Sequence, residues 1–120
     1  MRWYRNLYLG EGLEKKKDRL IRKIEQGRGV PGVYVITLAS NGTDLMDVFA
    51  ADYLMQPALH RSCPMILGLC RGRDEAVDLS VEIVLDMYRQ TGGFRLPEYL
   101  KEMMNRENAD EAFDTEKGKE

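Results

Sequence analysis

Two stretches of the chain are almost continuously apolar: Val33-Tyr34-Val35-Ile36-Thr37-Leu38 and Met65-Ile66-Leu67-Gly68-Leu69-Cys70. Unbroken runs of that length predict strands covered on both faces, as central or parallel strands are. A third strand is predicted over 4–9, where Arg5 and Asn6 interrupt the run. Elsewhere the apolar residues recur at helical spacing. Over 11–26, Leu13, Leu20, Ile21 and Ile24 fall near a 3.6-residue period among charged neighbours, and Gly27 and Gly29 stop the helix. Over 43–55, Leu45, Met46, Phe49, Tyr53 and Leu54 suit a helix with Thr43 as its N-cap. Over 74–90, Val77, Val81, Val84 and Tyr88 form one stripe, with Ala76, Ile83 and Met87 beside it. That wide face predicts a helix lying flat on a sheet. Asp74 and Glu75 sit where the N-terminal dipole favours acids, and Gly92-Gly93 ends the helix. A short fourth helix starts at Pro97, with Tyr99, Leu100, Met103 and Met104 apolar.

The order β-α-β-α-β-α-α predicts an α/β fold, a small layered sandwich with a three-stranded, mainly parallel sheet and right-handed crossovers. One dipeptide argues for an alternative. Asn41-Gly42 is a strong hairpin signal. If Leu45 to Phe49 is a strand, the chain becomes an α+β protein with an antiparallel pair, closer to a ferredoxin-like sandwich. The helical spacing of residues 45–54 favours the first arrangement.

Length and charge narrow the picture. The 120 residues carry 18 Lys+Arg and 20 Asp+Glu, a formal net charge of −2. This is one domain's worth of chain, expected to span 1–104. Residues 105–120 form an acidic tail whose one large apolar residue is Phe113, so disorder is expected there. No apolar run approaches the ~18–20 residues of a membrane span. The opening residues show neither a long apolar stretch nor a small-residue cleavage site, so a cytoplasmic location is expected, with Cys63 and Cys70 as reduced thiols. Charge is uneven: residues 1–30 hold nine Lys/Arg against four Asp/Glu, whereas 31–97 and 98–120 are both net acidic.

The segments WYRNLYLGEGLEKKKDRLIRKIEQG, GVYVITLASNGTDLMDVF and ILGLCRGRDEAVDL resemble a group of short, uncharacterised bacterial proteins of unknown function. The resemblance runs from Trp3 to Leu100. It implies a small domain and brings no catalytic residue with it.

Two constellations offer chemistry, each beside a plainer structural reading. In a parallel sheet each strand would end in a glycine-containing turn before a helix, and ligands bind at such ends. At one of these turns Gly72 lies between Arg71 and Arg73. With the free N–H groups of the following helix, these could hold an anion such as phosphate. No phosphate-loop signature is present, and Asp74 is a good N-cap that would satisfy the same N–H groups. The first helix carries Lys15, Lys16, Arg19, Arg22 and Lys23, a candidate contact for a nucleic-acid backbone, with Trp3, Tyr4 and Tyr8 available to stack on bases. A charged outer face is also what any surface helix shows. His60, Cys63 and Cys70 are too few for a structural zinc site, and no metal or cofactor is expected.

The sequence therefore favours a non-enzymatic binding or interaction domain with an accessory or regulatory role, with a homodimer as one expected assembly. The alternatives are a nucleic-acid-binding accessory protein using the first helix, and an enzyme or sensor binding a phosphorylated metabolite at the strand ends. An exposed apolar patch, a contiguous positive surface or a concave pocket beside Gly72 would separate the three.

Overall fold

The structure, a computed structural model, describes residues 1–39 and 46–91. The expected turn at Asn41-Gly42, the N-cap Thr43, the helix from Pro97 and the acidic tail lie outside the described residues. Among the described residues there are four strands: β1 (Trp3–Leu9), β2 (Val33–Leu38), β3 (Met46–Ala50) and β4 (Ile66–Arg71). Three α-helices accompany them: α1 (Lys17–Glu25), α2 (Pro57–Ser62) and α3 (Arg73–Thr91). Single 3-10 turns at Glu14–Lys16 and Ala51–Met55 lead out of Leu13 and β3 respectively.

The strands form one sheet in the order β1-β4-β2-β3. β1 runs parallel to β4, while β2 is antiparallel to both β4 and β3. The sheet is thus four-stranded and mixed, and the protein is α+β; the expected three-stranded, mainly parallel sheet is corrected. The difference lies in residues 46–55, expected as helix. Tyr34 to Leu38 pair with Ala50 back to Met46 across an unbroken antiparallel register, and the 3-10 turn follows. The spacing of Phe49 and Tyr53 suited a helix, and the turn does bring their rings edge-to-face, 6.4 Å apart. Ladder hydrogen bonds to a waiting neighbour outweighed the helical spacing, as pairing context commonly does.

Alternation along β2 sends Val33 and Val35 to one side of the sheet and Ile36 and Leu38 to the other. On the first side they meet Leu13, Leu20 and Ile24, together with Ala51 and Leu54 of the second 3-10 turn. On the other they meet Ala76, Leu79, Ile83 and Met87 of α3. Helices therefore cover both faces. The buried stripe of α3 differs from the expected one. Val77, Val81 and Tyr88 lie outside it, exposed. Both sides of this helix are apolar, so spacing alone could not choose which side met the sheet.

β4 is irregular at its centre. Ile36 and Thr37 face Gly68 and Ile66, which leaves Leu67 as an extra residue. A β-bulge of this kind turns two successive residues toward one layer. Glycine suits the site because a Cβ at 68 would lie 3.2 Å from the Tyr8 carbonyl oxygen and 3.4 Å from Leu79. Among the described residues no helix is long and apolar enough to cross a membrane.

Candidate functional site

The basic residues of the first helix divide by helical geometry. Leu20 and Ile24 point into the core. Lys16, Arg19 and Lys23, at i, i+3 and i+7, share the flank beside them. β4 adds a fourth cation by alternation: Leu69 faces the α1 layer, so Arg71 two residues on faces it too. These four cations line one cavity of about 420 Å³, with Leu13, Leu20 and Val33 as an apolar floor. Residues 29–33 form its wall, and no carboxylate among the described residues lines it.

That wall is a tight turn. Val33 N–H donates to the Val30 carbonyl at 3.1 Å, with Pro31 and Gly32 between them. Gly32 has φ +80°, the left-handed value that a type II turn demands of its third residue. The turn is tied down on two sides. Gly72 N–H donates to the Gly32 carbonyl at 2.9 Å, and Val30 N–H donates to the Asp52 carboxylate at 2.7 Å. These two bonds fix the wall within the fold.

The structure thus brings Arg71 together with Lys16, Arg19 and Lys23, while Lys15 and Arg22 do not line the cavity. Arg73 lines a different space. Gly72, φ +79°, turns the chain between the two arginines and occupies the position expected of Asp74 as cap. The helix begins one residue earlier than expected, so Asp74 stands in its first turn.

The aromatic residues proposed to stack on bases are engaged within the fold. Trp3 Nε1–H donates to Glu25 at 3.2 Å, Tyr8 O–H donates to Asp86 at 3.0 Å, and the Tyr4 and Tyr8 rings stack at 6.2 Å. His60 Nε2 lies 3.0 Å from the Ile24 carbonyl and 3.1 Å from that of Glu25. Both partners are acceptors, so this nitrogen carries the proton, and the ring closes the C-terminal end of α1. Cys63 packs on the α1 side of the sheet and Cys70 on the α3 side. Burial pushes each thiol up to about 11; the Glu75 charge adds to the rise at Cys70. Glu75 Oε1 is itself buried with no hydrogen-bond partner among the described residues. Among the described residues no three His, Cys, Asp or Glu side chains gather as metal ligands would.

Two features escaped the sequence reading. α2 was signalled only by Pro57, a favourable first helical residue. A groove of about 560 Å³ runs along β3 and is lined by Thr37, Phe49, Tyr53, Leu59 and Cys63 among others. It forms where segments distant in sequence meet, so no local motif announced it. No family model matches the chain, and no curated protein and no solved structure matches it.

Proposed function

We propose that this protein is a non-enzymatic interaction domain that pairs with a second copy of itself through the outer face of α3. One observation carries the reading. Val77, Val81, Leu85 and Tyr88 stand 46%, 54%, 47% and 54% exposed on successive turns of one helix. Single exposed apolar side chains are ordinary, but a contiguous stripe of them is characteristic of an association surface.

The charges beside the stripe favour a second copy in antiparallel orientation. Asp78 flanks it in the first half of α3 and Arg89 in the last turn. A twofold axis near residue 83 sets Val81 against the partner's Leu85, Val77 against the partner's Tyr88, and Asp78 against the partner's Arg89. Arg89 already pairs with Asp86 at 3.1 Å, with Arg89 exposed and Asp86 partly so. An exposed pair of this kind is worth ~0–1 kcal/mol, so the guanidinium can serve both carboxylates. A single helix pair buries less than the ~800 Å² per partner of a standard interface, so a weak, concentration-dependent dimer is expected.

Sedimentation equilibrium over a concentration series tests this. Dimer formation is expected for the natural chain and its loss for Val81→Glu. Asp78→Arg or Arg89→Asp alone weakens the dimer, and the two together restore it. A natural chain that stays monomeric, or a Val81→Glu chain that still dimerises, overturns the reading.

A further inference from the structure

We propose that the cavity between α1 and the end of β4 is a binding site for a small molecule carrying two or more phosphate groups. The site is independent of the α3 face and lies on the opposite side of the sheet. Lys16, Arg19, Lys23 and Arg71 surround it, with no carboxylate among the described residues of its lining. None of the four is ion-paired to another described residue. Four like charges around one space repel one another, and an anion bound among them relieves that repulsion. Lys16 and Lys23 are half-buried, with their stems packed along the cavity, whereas Lys15 is exposed.

Charge and volume together select the ligand. One phosphate, at most doubly negative, leaves two of the four cations unmatched, whereas a diphosphate matches most of them. The cavity of about 420 Å³ is also larger than a bare anion needs, and its floor of Leu13, Leu20 and Val33 is apolar. A less polar body attached to the phosphates fits that floor, as in a nucleoside diphosphate. A nucleic-acid backbone is the weaker match. It presents singly charged phosphates spaced along a strand, and the neighbouring cations Lys15 and Arg22, which a strand could also use, lie outside the cavity.

Isothermal titration of the full chain with inorganic pyrophosphate, with ADP, with adenosine and with a single-stranded oligonucleotide decides the matter. Pyrophosphate and ADP are expected to bind at physiological salt, ADP more tightly, and adenosine not measurably. Arg71→Ala and Lys23→Ala should each weaken pyrophosphate roughly tenfold, the loss of one charge-assisted contact. Lys15→Ala should change it less than about twofold, because screening leaves little of an outlying charge. Pyrophosphate should also raise the Tm of the natural chain, a readout that needs no variant to fold. No binding of pyrophosphate or ADP, equal losses for Lys15→Ala and Arg71→Ala, or tight binding of the oligonucleotide alone would each overturn the proposal.

Discussion

The helices on the two sides of the sheet solve the problem of an outer surface differently. α1 buries Leu20 and Ile24, half-buries Ile21, and otherwise carries only charged residues. α3 buries Ala76, Leu79, Ile83 and Met87, yet shows Val77, Val81, Leu85 and Tyr88 on its other side. In α1 the apolar period points to the core without ambiguity. In α3 the same period is satisfied by two opposite faces. The two faces are similar in apolar bulk, so a reading that ranks faces by hydrophobicity does not choose between them. The comparison teaches that amphipathicity identifies a buried face only where the opposite face is polar. A helix apolar on both sides leaves one apolar face uncovered, which is the basis for the proposal that α3 pairs with a second copy.

The sharpest way to break this comparison is within α3 itself. Ile83→Ala should cost about 3 kcal/mol in urea denaturation, because a fully buried side chain leaves a cavity behind. Val81→Ala, one face away, should cost less than about 0.5 kcal/mol in the monomer. Comparable losses at both positions would mean that the helix is rotated. The central strand residues Ile36 and Leu67, both fully buried, belong with Ile83 at about 2–4 kcal/mol when changed to alanine.

On the α1 side the expected effect is smaller. His60→Ala should lower stability by about 1 kcal/mol through the lost bond to the Ile24 and Glu25 carbonyls. Amide exchange should rise at the end of α1 and hardly at all in α3. A uniform rise across both helices would show that the ring holds more than this one helix end.

The two thiols report on both sides at once. With Cys63 and Cys70 each raised from 9.0 to about 11, the folded protein holds its thiol protons more tightly than the unfolded chain. The associated stability is fully present below pH 9 and is lost as pH rises from 9 through 11. Replacing both by alanine should remove that alkaline decline. At pH 8 each thiolate is roughly 100-fold scarcer than in the unfolded chain, so iodoacetamide labelling should be slow until denaturant is added. Rapid labelling of Cys70 in the folded protein would show that the α3 layer opens readily.

Much of this protein was legible residue by residue. β2 could be read to its ends, since a short apolar run rich in β-branched and aromatic residues suits a covered strand. β4 and α3 were placed to within one residue at each end, and the glycines after α1 marked its stop. The candidate cations were legible as types. Their grouping was not, although the rules that produce it are local: i, i+3, i+7 along α1, and alternation from Leu69 to Arg71 along β4. What joins the two sets is their placement on the same side of a sheet, and no local rule states it.

Local sequence alone therefore determined which segments bury apolar surface, where helices stop and which side chains carry charge, because these follow from short-range sterics and solvation. Tertiary structure decided three further matters. It made residues 46–50 a strand, since the hydrogen bonds that stabilise them come from β2. It chose which apolar face of α3 meets the sheet, since two faces of similar burial energy are told apart only by the fit to the sheet beneath them. It also gathered Lys16, Arg19 and Lys23 with Arg71 while sending Arg73 elsewhere, since partners 48 or more residues apart meet only when long-range packing brings their elements together.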